Sequence, residues 1–152
     1  MKQGDSAEAL IEQLQLAPHP EGGWYRETWR ASDDTSGRAR GTAILFLLRS
    51  GEASHWHRVD ADEMWLWQGG DPVELGISAS DSGPVQTELL GSNVTNGETL
   101  QALVPTGAWQ AARPVTGSAG YALVSCVVVP GFEFDGFELA PPGWAPGKET
   151  RT

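Results

Sequence analysis

Residues 55–70 read HWHRVDADEMWLWQGG and contain two histidines, three acids and two closing glycines in and around two predicted strands, 55–58 and 64–67. Successive side chains of a strand alternate between its faces, so His55 and His57 are predicted to point the same way, with Cα atoms roughly 6.5 to 7 Å apart. Glu63 is expected to complete a set of two histidines and one carboxylate, which holds a divalent metal with positions open for substrate. Asp62 is the alternative inward acid.

The same strand-and-turn pattern continues on both sides of this stretch. Turn signals such as Gly69-Gly70-Asp71-Pro72 and Asn96-Gly97 separate short β-rich runs. Many short strands with such turns between them predict an all-β sandwich or barrel. The predicted strands are residues 24–30, 42–48, 55–58, 64–67, 73–78, 85–90, 100–104, 109–113 and 121–128.

The N-terminal part differs because its apolar residues follow helical spacing. Leu10 and Leu14 fall on one face of a helix predicted over residues 6–16. Two prolines end this helix, and His19 between them is predicted to be a turn residue.

One domain spanning residues 1–152 is expected, because 39% of the 152 residues are apolar and no linker divides the chain. The proline- and glycine-rich residues 141–152 are expected to form a loosely ordered tail. Residues 44–48 read ILFLL and are apolar on both faces of a strand. Either a homodimer interface or a covering helix, such as the N-terminal one, would explain them.

The composition limits which binding partners and which cellular compartment are expected. A net charge of −10 without Lys and Arg clusters argues against nucleic acid and anionic membrane surfaces, and leaves a small molecule or a protein as the expected partner. The single Cys126 lies in an apolar run and excludes an intrachain disulfide. With no secretory signal and no apolar run of membrane-spanning length, the chain is expected to be cytoplasmic.

Elements spread along the chain carry a resemblance to a known family. They are His19-Pro20-Glu21-Gly22-Gly23-Trp24-Tyr25, residues 54–59 (SHWHRV), residues 71–75 (DPVEL), Trp109-Gln110-Ala111, and Val129-Pro130-Gly131-Phe132-Glu133-Phe134 through to Phe137-Glu138-Leu139. With them the chain resembles the DUF985, or cupin-5, family of the cupin superfamily. The resemblance implies a double-stranded β-helix jelly roll, commonly a homodimer, with a small-molecule pocket inside the barrel.

The resemblance also bears on a metal site. The turn Pro105-Thr106-Gly107 is similar to the second cupin signature, in which a histidine follows three residues after the glycine, and Gln110 stands at that position. The resemblance implies a metal set of His55, His57, Glu63 and Gln110, with Fe, Mn, Zn or Ni as the divalent ion. Because an amide oxygen is a weaker ligand than imidazole, the alternative is a pocket without a metal.

Without a metal, a histidine beside a carboxylate can act as a base. His57 near Glu63 has the arrangement needed to abstract a proton from carbon next to a carbonyl. Cupin-fold sugar-nucleotide epimerases use a histidine base and a tyrosine acid, so the analogy of fold suggests catalytic roles for His57, His55 and Tyr121, with Tyr25 as the other tyrosine available for the acid role. The predicted substrate-binding residues are Trp65, Gln110, Tyr25 and Arg26.

Three functions stay open at this point. The first is an isomerase, epimerase or lyase that acts on a small polar metabolite. The second is a ligand-binding or sensing module without catalytic activity. The third is a metal-dependent oxygenase, for which two histidines and one acid are the minimum ligand set.

Overall fold

The computed structural model describes residues 6–148, which form two antiparallel β-sheets and one short N-terminal helix. The elements are α1 (Ala7–Gln13), β1 (Ala17–Pro18), β2 (Trp24–Arg30), β3 (Thr42–Arg49), β4 (Ser54–Val59), β5 (Asp62–Gly70), β6 (Val73–Ser78), β7 (Gln86–Leu90), β8 (Gln101–Val104), β9 (Trp109–Pro114), β10 (Tyr121–Val129) and β11 (Phe137–Leu139). The strand order is β1-β2-β3-β10-β5-β8 in one sheet and β11-β4-β9-β6-β7 in the other. The predicted fold class, an all-β double-stranded β-helix with an N-terminal helix, is confirmed.

All nine predicted strands are present, with small shifts at their ends. The sequence patterns missed β1 and β11, which have two and three residues, because strands this short show no alternation. Both lie at sheet edges, β1 beside β2 and β11 beside β4. No helix within residues 6–148 has the length and apolar character needed to cross a membrane.

The main apolar core combines strands of both sheets. Phe46 on β3, Trp65 on β5 and Leu75 on β6 are each at most 1% exposed and belong to one cluster. Burying a large apolar side chain contributes about 1.5–3 kcal/mol, so this cluster holds the two sheets around a common interior. A cavity described below lies beside it, since Ile44 contributes to both.

Helix α1 explains why residues 44–48 are apolar on both faces. Leu47 is fully buried in a second cluster that includes Leu10 of α1, whereas Phe46 and Leu48 belong to the main core. Of the two explanations that the sequence left open, the covering helix is therefore confirmed. The homodimer stays a prediction.

The bounds of α1 follow from its caps. The hydroxyl of Ser6 accepts a hydrogen bond from the backbone N–H of Ala9 (3.1 Å) and begins the helix. The helix ends earlier than predicted because the backbone of Gln15 is left-handed, with φ at 58°. The N–H of Leu16 then donates to the carbonyl of Ile11 (2.9 Å), which closes the last turn.

The prediction of a loosely ordered tail is wrong for residues 141–148. Trp144 is 5% exposed, and its ring centroid lies 4.6 Å from that of Trp109. The N–H of Gly147 donates to the carbonyl of Asp81 (2.8 Å). This segment is ordered despite its prolines and glycines, because the buried indole of Trp144 contributes a large apolar contact. Residues 149–152 of that prediction lie outside the described residues.

Candidate functional site

A cavity of about 660 Å³ is lined by residues of β2, β3, β4, β5 and β10 and of the loop after β10, a volume that suits a small molecule. Its polar side chains with little exposure are His19, Glu21, Thr42, His57 and Glu63. Its apolar walls come from Tyr25, Ile44, Val59, Val128 and Phe132. Its exposed rim includes Arg26, Glu27, Arg30 and Phe134.

A tight turn between β1 and β2 holds Glu21 in the cavity. The N–H of Glu21 donates to Nδ1 of His19 (3.1 Å), and its carbonyl accepts from the N–H of His55 on β4 (2.8 Å). Gly22 follows with φ at 106°, and a Cβ there would collide with the carbonyl oxygen of Ala53. Glycine is therefore required after Glu21, and the turn fixes the Glu21 carboxyl beside β4.

A β-bulge in β4 decides which of its side chains enter the cavity. Three residue steps of β4, from Ser54 to His57, are matched by two steps of β9. Ser54 and His57 both face the interior and are 1% and 2% exposed, whereas Nε2 of His55 lies 2.9 Å from the carbonyl oxygen of Pro141. The prediction that His55 and His57 point the same way is wrong, because strict alternation fails across a bulge.

The hydrogen bond of His57 fixes its tautomer. Its Nδ1 lies 2.7 Å from the carbonyl oxygen of His55, which can only accept, so Nδ1 carries a proton. In the neutral ring Nε2 is then unprotonated, and it lies 3.5 Å from Oε1 of Glu21. Burial lowers the pKa of His57, because the imidazolium loses its hydration. His57 thus offers a neutral, proton-accepting nitrogen.

Oε1 of Glu21 lies between two nitrogens that lack protons. One is Nε2 of His57, and the other is Nδ1 of His19 at 3.3 Å, which already accepts the Glu21 N–H. A carboxylate at this place would face two lone pairs, whereas an O–H on Oε1 can direct its proton to Nε2 of His57, because the single lone pair of His19 Nδ1 already accepts the Glu21 N–H.

Burial also favours the protonated form of Glu21. It raises the pKa of Glu21 from its ordinary 4.5 to about 8, although a hydrogen bond from Ser54 to Oε2 opposes the shift. The pKa of His19 is lowered to about 4 by its burial and by the nearby His57. At neutral pH Glu21 therefore holds its proton beside two neutral imidazoles.

A second buried carboxyl group, Glu63 on β5, belongs to a hydrogen-bonded network. Nε2 of Gln110 donates to Oε1 of Glu63 (2.9 Å), and Oε1 of Gln110 accepts from Nε1 of Trp65 (2.8 Å). The Cys126 thiol also bonds to Glu63. Burial raises the pKa of Glu63, whereas the neighbouring His57 lowers it. The network holds Glu63 in one orientation and leaves no amide atom of Gln110 unused.

The structure brings only some of the predicted site residues together. Tyr25 and Arg26 line the cavity, as predicted for substrate contacts. Trp65 and Gln110 do not line it: they lie in the interior at 1% and 0% exposure, with their polar atoms bonded within the network. Tyr121 packs in the apolar cluster under α1 instead of lining the cavity. The predicted places of these last three residues are therefore wrong.

Glu63, rather than Asp62, is the inward acid of the pair. Glu63 is 7% exposed and lines the cavity, whereas Asp62 is exposed and accepts hydrogen bonds from Thr106 (2.8 and 2.9 Å). The strand alternation of β5 thus holds at this position.

The four side chains predicted to hold a metal do not form one set. His55 lies on the other face of β4, and the amide of Gln110 is occupied by Trp65 and Glu63. Within residues 6–148, no group of three or more His, Cys, Asp or Glu side chains has the arrangement of a metal site. The predicted ligands therefore do not fit a metal, and we assign no step to one.

The sequence patterns missed three polar residues of this site. His19 was expected to be an ordinary turn residue, and Glu21 and Ser54 carried no predicted role. The sequence feature that could have identified Glu21 is its position directly before two glycines. Two glycines allow a tight turn, and such a turn can hold one side chain rigidly against a neighbouring strand.

Two sheets around a cavity with buried acid and base groups define a cupin-type jelly roll. Residues 8–140 match the family model described as Cupin superfamily (DUF985), so the chain belongs to this family. A hypothetical protein from Leishmania major is similar at 39% identity and TM-score 0.79, over 88% of this chain and 86% of that one. A Shewanella oneidensis protein has 40% identity and TM-score 0.81, over 89% and 84%.

More distant solved structures share the fold alone. A variant of Bacillus subtilis oxalate decarboxylase has 15% identity and TM-score 0.57, over 78% of this chain and 28% of its own. CapF has 13% identity and TM-score 0.60, over 82% and 33%. The oxalate decarboxylase contains Mn(II) centres, which is a property of that protein. None of the curated proteins matches the chain significantly.

Proposed function

We propose that the cavity binds a small polar metabolite and moves a proton at a carbon next to a carbonyl group. The observation that carries the proposal is the position of Glu21 Oε1, 3.3 Å from Nδ1 of His19 and 3.5 Å from Nε2 of His57. It pairs a protonated acid with an unprotonated base at one cavity wall. General acid–base catalysis needs both groups within reach of one substrate.

His57 is the base in this proposal. As the substrate C–H bond breaks, Nε2 takes the proton, and the carbonyl of His55 keeps the Nδ1 proton in place. The resulting imidazolium is stabilised by Glu63, whose interaction with His57 favours the charged ring. The Gln110 and Cys126 hydrogen bonds keep that carboxyl group in position.

Glu21 is the acid. Its Oε1 proton passes to the substrate carbonyl oxygen while the C–H electron pair forms the carbon–carbon double bond of an enol. Ser54 donates to Oε2 and stabilises the carboxylate that remains. For a substrate with a hydroxyl group on the reacting carbon, this enol is an enediol. Isomerisation is completed when the other hydroxyl of the enediol gives its proton to the Glu21 carboxylate and becomes the new carbonyl, while His57 delivers its proton to the former carbonyl carbon. Because both groups share one wall, isomerisation is favoured over epimerisation, which needs a donor on the opposite face.

Deuterium exchange at carbon tests the proposal on candidate compounds of several classes. Hydroxyketones, aldoses and keto acids that bind the protein are incubated with it in D2O, and mass spectrometry measures deuterium entering at carbon. H57N is the informative variant, because asparagine keeps an N–H for the His55 carbonyl and removes Nε2. H55N is its matched control two residues away, outside the cavity.

The expected result is acceleration of exchange for at least one bound compound. H57N should reduce that exchange by about 100-fold or more, whereas H55N should leave it nearly unchanged. Exchange at the wild-type rate in H57N would remove the assigned base. Bound compounds that never exchange with the wild-type protein would instead make the chain a binding module.

A further inference from the structure

Gln15 has a backbone conformation that side chains disfavour. Its φ is 58°, and among residues 6–148 it is the one residue other than glycine with a positive φ. It directly follows Leu14, the C-cap residue of α1, at a position where glycine is the usual occupant because a Cβ is disfavoured in the left-handed region. A glutamine at such a position points to a use for its side chain.

The side chain of Gln15 lies at the cavity rim, beside Arg26. Its Oε1 accepts a hydrogen bond from Nη1 of Arg26 at 3.3 Å. Because the amide is uncharged, this bond orients the guanidinium group without neutralising it. The pair places a fixed positive charge at the mouth of the cavity.

Arg26 differs from Arg30, the other arginine of the rim, in the charge of its hydrogen-bond partner. Arg30 makes two hydrogen bonds to the carboxylate of Glu27, at 2.9 and 3.0 Å. Arg26 has no carboxylate within ion-pair distance in the part of the chain described, residues 6–148. Its remaining N–H groups have the planar geometry that matches two oxygens of a carboxylate or phosphate.

The geometry points to an oxyanion site at the rim, where Arg26, oriented by Gln15, binds the carboxylate or phosphate group of the metabolite. Ile44 and Phe132 line the wall that its body would contact. The inference rests on the proposed function for the reactive end, which reaches His57. Gln15 is a positioning residue, since it acts through Arg26.

Titration calorimetry with three probes tests this site. Phenylacetate and phenyl phosphate carry the two candidate anions, and phenylacetamide is the uncharged match of the first. The variants are R26Q, which removes the charge, and Q15G, which removes the side chain from the left-handed position. Q15N is a second variant with a shorter amide, and R40Q changes an exposed arginine outside the cavity lining.

Both anions should bind more tightly than phenylacetamide, and the tighter of the two identifies the preferred group. R26Q should weaken the binding of both anions by about 10-fold or more and leave the affinity for phenylacetamide unchanged. R40Q should leave all three affinities unchanged. Q15G should weaken anion binding while raising Tm by about 2–4 °C, because glycine meets no steric penalty at this φ. A purely structural role for Gln15 would not separate affinity from stability in this way.

Several results would overturn the inference. Equal affinity for phenylacetate and phenylacetamide, unchanged anion binding in R26Q, or no anion binding below about 5 mM would each remove the rim site. Unchanged anion affinity in Q15G and Q15N, whatever their Tm, would remove the positioning role. Because these are binding measurements, they stand even if deuterium exchange fails, and the exchange result stands if they fail.

Discussion

Replacing Glu21 by glutamine should flatten the pH dependence of stability above pH 6.5. Glutamine has the shape of a protonated carboxyl group. Its NH2 group can face the two imidazole nitrogens, and its oxygen can accept the hydrogen bond from Ser54. The variant should therefore fold, and it differs chiefly in that it cannot ionise.

The direction of this pH dependence follows from the raised pKa of Glu21, which is about 8 in the folded protein against an ordinary 4.5. Between these values the folded state keeps a proton that the unfolded state has released. The free energy of unfolding then falls by about 1.4 kcal/mol per pH unit for one such group. The stabilisation is complete below pH 4.5 and is lost as the pH rises through about 8.

Between pH 6.5 and 8 the effect of Glu21 on stability can be measured with little contribution from the histidines. His19, whose lowered pKa is about 4, makes stability rise with pH mainly between that value and its ordinary 6.5, and the small remaining rise above 6.5 is shared by E21Q. Above that, Glu21 alone should remove about 1.5 kcal/mol by pH 8, allowing for its own titration. Burial also raises the pKa of Glu63, and because Glu63 is present in both proteins, the difference between the wild type and E21Q reports Glu21.

Urea unfolding at constant ionic strength, followed by tryptophan fluorescence, measures this difference. The wild type should lose about 1.5 kcal/mol more than E21Q between pH 6.5 and 8. Glu88→Gln, at an exposed position on β7, is the matched control and should keep the wild-type decline. Equal losses in the wild type and E21Q would mean that Glu21 is already ionised in the folded protein, and the reasoning would be refuted.

Three further outcomes follow from the same contacts. The rate of deuterium exchange at carbon should have a bell-shaped pH profile, because exchange needs neutral His57 and protonated Glu21. The rate should rise through a pKa below 6.5 and fall through about pH 8, and a rate still rising at pH 9 would contradict this. Trp65→Phe should cost about 1–3 kcal/mol in urea unfolding, since it leaves the Gln110 carbonyl without its donor. Trp144→Ala should cost about 3 kcal/mol, and a loss near zero would show that the tail does not pack.

Much of the architecture could be predicted from local sequence signals. Turn residues and β-rich runs located nine strands, and the apolar residues 44–48 led to the covering helix as one of two explanations. The choice between that helix and a dimer depends on where α1 packs. Local sequence carries no such information, because Leu10 and Leu47 meet only in the folded chain.

The site was predicted less completely, for physical reasons that can be named. A bulge adds one residue to β4 and sends His55 out of the cavity, and no pattern of alternation shows where a bulge falls. Glu21 reaches His57 from a turn 36 residues earlier in the chain, through pairing that depends on the whole barrel. Gln110 occupies the expected position on β9, but its hydrogen bond with Trp65 turns it into the interior.

Proton positions on the imidazoles can be measured by long-range 1H–15N NMR. The chain has only three histidines, so H55N and H57N assign the spectrum. At pH 7 we expect a neutral His57 with its proton on Nδ1 and none on Nε2, unchanged until the pH falls below 6.5. A His57 protonated on both nitrogens at pH 7, or carrying its proton on Nε2 alone, would contradict the proposed pairing of a neutral base with the Glu21 acid.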